Sequence, residues 1–364
     1  MGLACGIVGL PNVGKSTIFN ALTAGHAAAS NYPFCTIEPN TGIVPLNDPR
    51  LNDIAAIIHP AAITPTTVEF VDIAGLVKDA SKGEGLGNQF LGHIREVNAI
   101  VQIVRCFENP DVVHVHGVID PVADAEVINT ELLLADLETV TKRLERAAKG
   151  ARVGQKEAAA EVACCEKYAA ALSQGMPARK VPENRETGAL LRELRLLTAK
   201  PQLYVANVGE GGLKCPTPAV EALQALAAKE GSEVVVMCGA MEAEIAALDP
   251  ADRAAFLQDL GFVESGLDRL AHTCYRLLGL ITFFTAGPKE VRAWTVPRGA
   301  TAPMAAGVIH TDFERGFIRA DVYPYADLIR CGSEAALRAA GLIRSEGKEY
   351  VVQDGDCMFF KFNV

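Results

Sequence analysis

The nine residues from Gly9 to Thr17 constrain this chain more than any other feature. They have the sequence Gly-Leu-Pro-Asn-Val-Gly-Lys-Ser-Thr, follow the apolar run Cys5–Val8 and precede a helical pattern. The spacing G-x-x-x-x-G-K-S is that of a phosphate-binding loop (P-loop), in which backbone N–H groups and a helix N-terminus bind a polyphosphate. Lys15 is expected to reach the terminal phosphates, and the Ser16 hydroxyl to ligate Mg²⁺. The loop therefore predicts a nucleoside triphosphate as ligand.

Strand-like apolar runs alternate with helical patterns along much of the chain. These runs are Cys5–Val8, Val68–Ile73, Ala99–Val104, Leu203–Ala206 and Val234–Cys238. Such alternation predicts an α/β fold with a mostly parallel sheet flanked by helices. Ligands of these sheets bind at the carboxyl ends of the strands, and the sequence motifs follow those ends.

The alternation stops between residues 128 and 200. Leu and Val residues between Leu132 and Leu144 fall at helical spacing, which predicts a coiled-coil helical hairpin inserted into the nucleotide-binding domain. Its turn is expected near residues 174–178, where Gly and Pro interrupt the pattern. From 281 to 364, short β-like runs separated by Gly, Pro and Asp predict a small α+β domain. The expected domains are thus 1–127 with 201–280, 128–200, and 281–364.

Charge and cysteine content narrow the class of protein. The net charge of −10 argues against a surface that is basic throughout, and no sequence-specific DNA binding is expected. The segment from Lys142 to Glu157 has six basic and two acidic residues, which indicates either a solvated helical face or contact with RNA or a ribonucleoprotein. No apolar run is long enough to span a membrane, and the sequence opens on a strand rather than a leader. The ten cysteines lack zinc-type spacing, so we expect reduced thiols in a cytoplasmic protein.

A second motif, Asp72-Ile-Ala-Gly75, ends an apolar strand 57 residues after Lys15. In nucleoside triphosphatases with these motifs, the aspartate holds Mg²⁺ through water and the glycine N–H senses the γ-phosphate. Thr36, in the loop between the motifs, is the candidate hydroxyl that completes Mg²⁺ coordination; the alternative is an ordinary loop threonine. Asp72, Gly75, Thr36 and the following Leu76 are therefore predicted as switch residues.

Leu76 stands where Ras-type enzymes have a glutamine that orients the attacking water. Because leucine cannot hydrogen-bond water, either turnover is very slow or another group acts. His114, in the loop after the strand-like run Ala99–Val104, is one candidate, since a neutral imidazole can orient or deprotonate water. A surface histidine without a role is the alternative. Asn12 could help to coordinate a monovalent cation or could simply shape the loop.

The segment Asn207-Val208-Gly209-Glu210 follows a strand at the place where GTPases carry N-K-x-D. The lysine is absent and the carboxylate is one methylene longer, so the match to guanine is lost. Asn207 and the Val208 backbone could pair with adenine instead, and each mismatched buried polar group costs roughly 1–3 kcal/mol. We therefore expect ATP to be preferred over GTP, or both to be accepted; a turn without any base contact is the alternative.

Taken together, segments spread over the whole chain resemble the YchF subfamily of Obg-related NTPases. These segments are Gly9–Thr17, 33–40, 72–78, 80–89, 207–210, 284–287, 290–295 and 309–314. The resemblance implies a GTPase-type P-loop domain, a coiled-coil insertion and a C-terminal TGS domain, which is a β-grasp module. It also implies a slow ATPase that hydrolyses ATP to ADP and phosphate, needs Mg²⁺, is promoted by K⁺ and binds the ribosome.

The same resemblance implies roles for individual residues. Nucleotide contacts carry over to Asn12, Val13, Gly14, Lys15, Ser16, Thr17 and Val208, joined in the base motif by Asn207 and Glu210. The Mg²⁺ ligands carry over to Ser16 and Thr36, and the predicted catalytic residues are Lys15 and His114. Gly209 departs from the family pattern, which usually has a bulkier or polar residue there. Two other functions stay open: a nucleotide-gated binding module with incidental hydrolysis, and a GTP-preferring GTPase.

Overall fold

The computed structural model describes residues 3–24, 40–73, 86–115, 117–153, 156–182 and 185–363. The chain divides into two compact units, Met1–Gly42 with Glu69–Leu270 and Ile43–Val68 with Ala271–Val364. Two six-stranded sheets are found among the described residues. None of the helices described is both long enough and apolar enough to cross a membrane.

Strands and helices are numbered in chain order. The strands are β1 (Ala4–Gly9), β2 (Thr41–Pro45), β3 (Ala62–Thr64), β4 (Thr67–Asp72), β5 (Ala99–Arg105), β6 (Gln202–Asn207), β7 (Glu233–Met237), β8 (Leu280–Ala286), β9 (Glu290–Pro297), β10 (Phe317–Pro324), β11 (Arg344–Glu346) and β12 (Asp356–Phe362). The helices are α1 (Lys15–Ala24), α2 (Pro49–Ile58), α3 (Leu86–Glu96), α4 (Pro121–Arg152), α5 (Lys156–Ser173), α6 (Arg185–Leu194), α7 (Pro218–Glu230), α8 (Gly239–Ala247), α9 (Pro250–Leu260), α10 (Gly266–Leu277), α11 (Ala302–Ile309), α12 (Thr311–Arg315), α13 (Tyr325–Cys331) and α14 (Glu334–Ala339).

The first sheet has the strand order β2-β4-β1-β5-β6-β7. Its pairings from β4 to β7 are all parallel. Every residue of β1, β5 and β6 is buried, as expected for parallel strands covered on both faces. The predicted α/β class and its five strand-like runs are confirmed. Because β1, β5 and β6 are neighbours, the loops after Gly9, Arg105 and Asn207 leave the same edge of the sheet.

Helices α4 and α5 pack together in the predicted helical insertion. The carboxylate of Asp120 caps α4 by accepting hydrogen bonds from the backbone N–H groups of its first turn, and Pro121 suits the first helical position. An apolar cluster that includes Val140 of α4 and Tyr168 of α5 joins the two helices. The same helices are joined by an ion pair between Arg143 and Glu161.

The turn of this insertion differs from the prediction. α4 ends at Arg152, α5 begins at Lys156 and the two helices pack against each other, whereas residues 174–178 follow the end of α5. The predicted hairpin turn near 174–178 is therefore wrong. Gly175, with a φ of 75°, and Pro177 are the stronger helix breakers, but they end the second helix rather than the first.

The second sheet has the strand order β11-β10-β12-β8-β9-β3. β8–β9 and β10–β12 are antiparallel, whereas β12–β8 and β3–β9 are parallel. One face of the sheet packs on α11 through a core that includes Phe283, Ala305 and Phe360. This mixed sheet with its helices confirms the predicted α+β fold of the C-terminal part.

Helix α2 and strand β3 come from early in the chain but pack with the C-terminal residues. Leu51 and Ile54 of α2 are buried in a core shared with residues of β8, β9 and α13. Arg50 Nη1 lies 2.8 Å from Asp354 Oδ2. By sequence position, residues 43–68 were assigned to the nucleotide-binding domain; the apolar face of α2 instead places them in the second unit.

Candidate functional site

The P-loop connects β1 to α1 through a tight turn. Gly14 has a φ of 90°, which favours glycine, and a Cβ at this position would lie 2.2 Å from Asn207 Nδ2. Asn12 has a φ of 63°, a conformation that asparagine adopts more readily than most residues. Ser16 and Thr17, in the first turn of α1, are exposed. The turn therefore presents a helix N-terminus and an exposed hydroxyl, as binding of a phosphate and Mg²⁺ requires.

Lys15 forms an ion pair with Asp72 at the end of β4. Their side chains are 13% and 18% exposed, so the pair is largely shielded from water. This contact brings together the P-loop lysine and the aspartate of the second motif, as their predicted roles require. The site thus has a hydroxyl and a carboxylate, the oxygen ligands that Mg²⁺ prefers, next to a lysine suited to phosphate.

Asn207 is buried and uses both ends of its amide within the protein. Its Nδ2 donates to the Val13 carbonyl oxygen at 2.8 Å, and its Oδ1 accepts from the Gly239 N–H at 2.9 Å. These two bonds use one of the two Nδ2 hydrogens and one of the two Oδ1 lone pairs, so the predicted base contact would have to use the others. In this structure Asn207 connects the end of β6 to the P-loop and to the start of α8.

The other residues of the base motif lie at the wall of a cavity. Val208 is buried, and its backbone N–H donates to the Met237 carbonyl oxygen at 2.9 Å. Glu210 is exposed at the start of a short 3₁₀ helix, Glu210–Leu213. The motif therefore contributes an apolar side chain and a carboxylate to this wall.

This cavity has a volume of about 810 Å³ and joins the P-loop to the base motif. Its described lining residues are Leu10, Pro11, Asn12, Gly14, Lys15, Ser16, Thr17, Phe107, Glu108, Asn109, Val112, Asn207, Val208, Gly209, Glu210, Cys238 and Ala240. The volume lies in the range of small-molecule sites. Its lysine and hydroxyl end is suited to phosphates, and its end near Val208 and Phe107 to a planar base.

Arg105, which the sequence reasoning did not identify, organises the loop after β5. This arginine is 2% exposed, and its guanidinium donates to the carbonyl oxygens of Phe107 (3.1 Å), Val112 (3.0 Å) and Asn109 (3.3 Å). The guanidinium carbon also lies 4.6 Å from the centre of the Phe107 ring, which lines the cavity. The signal available in the sequence was an arginine at the end of a mostly apolar strand.

His114 is buried at the end of the same loop. Its Nε2 lies 2.8 Å from Asp124 Oδ2, and the two side chains are 6% and 3% exposed. His114 does not belong to the described lining of the cavity, although Val112 does. Asp124, in the first turn of α4, is a second residue that the sequence reasoning missed.

Three predicted switch residues, Thr36, Gly75 and Leu76, lie outside the described residues. Within the described ranges, no group of three or more His, Cys, Asp or Glu side chains is placed to hold a metal ion. The structure therefore brings together Asn12–Thr17, Asp72 and Asn207–Glu210, while the predicted Mg²⁺ contact of Thr36 stays a prediction.

Two family models match parts of the chain. One, named YchF-GTPase_C and described as a protein of unknown function (DUF933), matches residues 280–363. The other, described as a 50S ribosome-binding GTPase, matches residues 4–143. These two ranges contain the second sheet from β8 onward and the P-loop, respectively.

Full-length relatives extend this similarity to the entire chain. The ribosome-binding ATPase YchF of Escherichia coli O157:H7 is 56% identical over 364 residues, and that of Bacillus subtilis (strain 168) is 52% identical over 366 residues; both alignments cover 100% of each chain. The solved structure of the Schizosaccharomyces pombe YchF GTPase is 38% identical, with a TM-score of 0.90, and the match covers 99% of this chain and 98% of that one. The resemblance expected from the motifs is confirmed, and the chain belongs to the YchF family.

Proposed function

We propose that this chain is a slow, Mg²⁺-dependent ATPase that hydrolyses ATP to ADP and phosphate and acts as a nucleotide-dependent switch on the ribosome. The observation that carries the proposal is the cavity of about 810 Å³, where Lys15 and Ser16 lie at one end and Val208 and Glu210 at the other. The names of the full-length relatives, ribosome-binding ATPases, support both the reaction and the partner.

The phosphate end of the cavity supports nucleotide binding in the presence of Mg²⁺. Lys15 is held by Asp72, and a bound triphosphate would attract the same ammonium group. Ser16, Asp72 through water, and Thr36 are the residues that would hold Mg²⁺. The ion, when bound, neutralises charge on the phosphate oxygens. The Asn12 amide nitrogen donates to the Val113 carbonyl oxygen at 3.1 Å, which leaves its own oxygen as the atom suited to K⁺.

The proposed preference for ATP rests on the absence of the guanine-binding N-K-x-D motif at the base end of the cavity. Val208 stands where a GTPase has the lysine, and Glu210, whose side chain is one methylene longer, stands where it has the aspartate. Val208 cannot replace the lysine contact, and the longer side chain of Glu210 misplaces the carboxylate that would bind guanine. The remaining Nδ2 hydrogen and Oδ1 lone pair of Asn207, nearby backbone groups and the Phe107 ring are the candidates to bind adenine. We expect ATP to bind at least as tightly as GTP. A competition binding measurement in which GTP binds tenfold more tightly would contradict this assignment.

Catalysis is assigned to Lys15 and His114, with Leu76 in the position of the usual glutamine. His114 would orient or deprotonate water, but in this structure it faces Asp124. This observation favours a second candidate function, a nucleotide-gated binding module with incidental hydrolysis. The variant His114→Ala separates the two: a large fall in turnover supports the ATPase, whereas unchanged turnover supports the binding module.

Exposed basic side chains near the end of α4 support contact with ribosomal RNA. Lys142, Arg146 and Lys149 are exposed and spaced to lie along one face of the helix. Lys142 also forms an ion pair with the exposed Glu138, so Arg146 and Lys149 would contribute most to phosphate binding. Such binding weakens steeply as salt rises. This basic face gives an acidic protein a local surface for a ribonucleoprotein.

Co-sedimentation with ribosomes tests the partner and the switch together. Binding is measured with ATP, with ADP and without nucleotide, at two salt concentrations. We expect the ribosome-bound fraction to differ between nucleotide states and to fall as salt rises. Equal pelleting in all three states would contradict the switch.

A charge-neutralised variant locates the ribosome contact. Replacing Lys142, Arg146 and Lys149 by Gln should weaken pelleting and reduce its salt dependence. The control changes Lys214, Arg338 and Lys348, which are exposed elsewhere, to Gln. An equal effect of the two triple variants would show that net charge rather than α4 is responsible.

A further inference from the structure

The imidazole of His114 is turned into the protein, where it contacts Asp124. The loop that carries His114 borders the nucleotide cavity. His114 Nε2 and Asp124 Oδ2 are 2.8 Å apart, and both side chains are almost fully buried. Val112, two residues earlier, lines the cavity, but among the described residues His114 does not. The histidine proposed to act on water therefore has a partner on the side away from the cavity.

The backbone beside His114 is fixed to the nucleotide site by two hydrogen bonds. The Val113 carbonyl oxygen accepts from Asn12 of the P-loop at 3.1 Å, and the Val112 carbonyl oxygen accepts from Arg105 Nη1 at 3.0 Å. With the backbone held in this way, the direction of the His114 side chain depends chiefly on the groups that bind its ring. Asp124 is such a group, and it is buried where an ionic or charge-assisted hydrogen bond is strong.

We infer that Asp124 is a positioning residue that restrains His114 outside the nucleotide cavity, and that the pair must break before the histidine can act on water. The inference rests on the proposed function, in which His114 takes part in hydrolysis. The restrained conformation then predominates, and the rate follows the small population in which the pair is broken. Weakening the pair should increase that population and therefore the rate.

Asp124 connects this restraint to the helical insertion, because it belongs to helix α4. Asp124 lies in the first turn of α4, a continuous helix of 32 residues from Pro121 to Arg152. A displacement of this helix along its axis would carry the carboxylate with it. The helix that bears the basic residues thus also bears the group that restrains the proposed catalytic histidine.

The variant Asp124→Asn tests the restraint, because it removes the charge and keeps the size of the side chain. We expect its turnover number for ATP, without any partner, to rise about threefold or more, since the released population rises. The matched control is Asp120→Asn, which removes the same charge four residues earlier and keeps a capping side chain. Its turnover should stay within about twofold of wild type. A turnover of Asp124→Asn that is unchanged or lowered would overturn the inference.

The double variant His114→Ala with Asp124→Asn shows whether the effect acts through the histidine. Its turnover should equal that of His114→Ala alone; a rate that stays raised would overturn the restraint. If His114→Ala alone leaves turnover unchanged, the proposed catalytic role itself fails. If it lowers turnover but Asp124→Asn does not raise it, only the restraint fails.

A measurement on the wild-type chain covers the case in which Asp124→Asn does not fold. The imidazole resonances of His114, assigned by comparison with His114→Gln, are followed by NMR as Mg²⁺, ADP and aluminium fluoride are added. This mixture imitates the phosphate during transfer. We expect the His114 signals to shift as the ring leaves Asp124. Signals identical to those of the nucleotide-free protein would overturn the inference.

Discussion

Asn207 Nδ2 donates a hydrogen bond of 2.8 Å to the Val13 carbonyl oxygen, so the base motif holds the P-loop in place. Asn207 Oδ1 accepts at the same time from the Gly239 N–H at 2.9 Å. Only 4% of this residue is exposed, and both ends of its amide are occupied within the protein. A single side chain therefore links three loops at the carboxyl edge of the first sheet.

The variant Asn207→Ala should weaken binding of ATP, GTP and inorganic triphosphate by a similar factor. Losing the amide leaves the Val13 and Gly239 groups without these partners, and each such loss costs about 1–3 kcal/mol. We expect at least tenfold weaker binding, measured by calorimetry. The control Gln224→Ala removes an exposed amide side chain of α7, outside the described lining of the cavity, and should leave binding unchanged. A loss confined to ATP would instead make Asn207 a base contact.

The variant Gly14→Ala should abolish nucleotide binding. An alanine Cβ would lie 2.2 Å from Asn207 Nδ2, and the backbone φ of 90° is unfavourable for any residue with a Cβ. Gly92 in α3 is the matched control, because a Cβ there would meet nothing within 4 Å. Fluorescent nucleotide titration should give no binding for Gly14→Ala and wild-type binding for Gly92→Ala. Tight binding by Gly14→Ala would mean that the P-loop rearranges without cost.

The variant Arg105→Lys should loosen the loop that lines the cavity. Lysine cannot reproduce the planar set of hydrogen bonds by which Arg105 holds the carbonyl oxygens of Phe107, Asn109 and Val112. We expect faster hydrogen exchange over residues 107–115 and several-fold weaker ATP binding. The exposed Arg330→Lys serves as control. Exchange rates equal to wild type in this loop would show that Arg105 does not organise it.

The sequence predicted those parts of the site that depend on local spacing. The P-loop turn needs Gly14 and Lys15 in a fixed order, and the strands beside it need apolar runs, so both were predicted from composition along the chain. The closeness of Lys15 and Asp72 also followed, because their motifs come after strands whose carboxyl ends lie at the same edge of the sheet. The ion pair between them was not predicted.

Sequence reasoning missed the contacts that depend on the direction in which a side chain points. Nothing in the order of residues shows that Arg105 turns back on its own loop, or that His114 meets Asp124 rather than the cavity. The sequence also does not show that the Asn207 amide binds Val13 and Gly239, whereas its base contact stays a prediction. Similarly, the apolar face of α2 gives no indication of which sheet it covers, so residues 43–68 were placed by position.

The variant Ile54→Ala should destabilise the second unit. Ile54 is fully buried in the core that α2 shares with β8, β9 and α13, and truncation of such a side chain costs about 2–5 kcal/mol. We expect faster hydrogen exchange in β8 and β9, with the exchange of β5 and β6 unchanged. Asn52→Ala, exposed on the same helix, is the control. Faster exchange in β5 and β6 alone would place α2 with the first unit.

Cys106 should resist alkylation in the folded protein at a pH where Cys215 reacts. Burial, and to a smaller degree the charge of Asp124, raise the pKa of the Cys106 thiol from 9.0 to about 12, whereas Cys215 is exposed. Alkylation requires the thiolate, so iodoacetamide at about pH 8 should label Cys215 and leave Cys106 intact, as peptide mass spectrometry would show. Comparable labelling of both cysteines would contradict the burial of Cys106. In urea both should react, which provides the control.

The raised pKa of Cys106 also predicts that the folded protein loses stability at high pH. Because the folded state holds the Cys106 proton more tightly than the unfolded chain, the stabilising contribution of this thiol is complete below pH 9 and is lost as the pH rises towards about 12. The variant Cys106→Ala cannot lose such a contribution. Denaturant unfolding should therefore show a steeper loss of stability for wild type than for Cys106→Ala across this range. Parallel curves for the two proteins would mean that the thiol ionises equally well in the folded and unfolded chains.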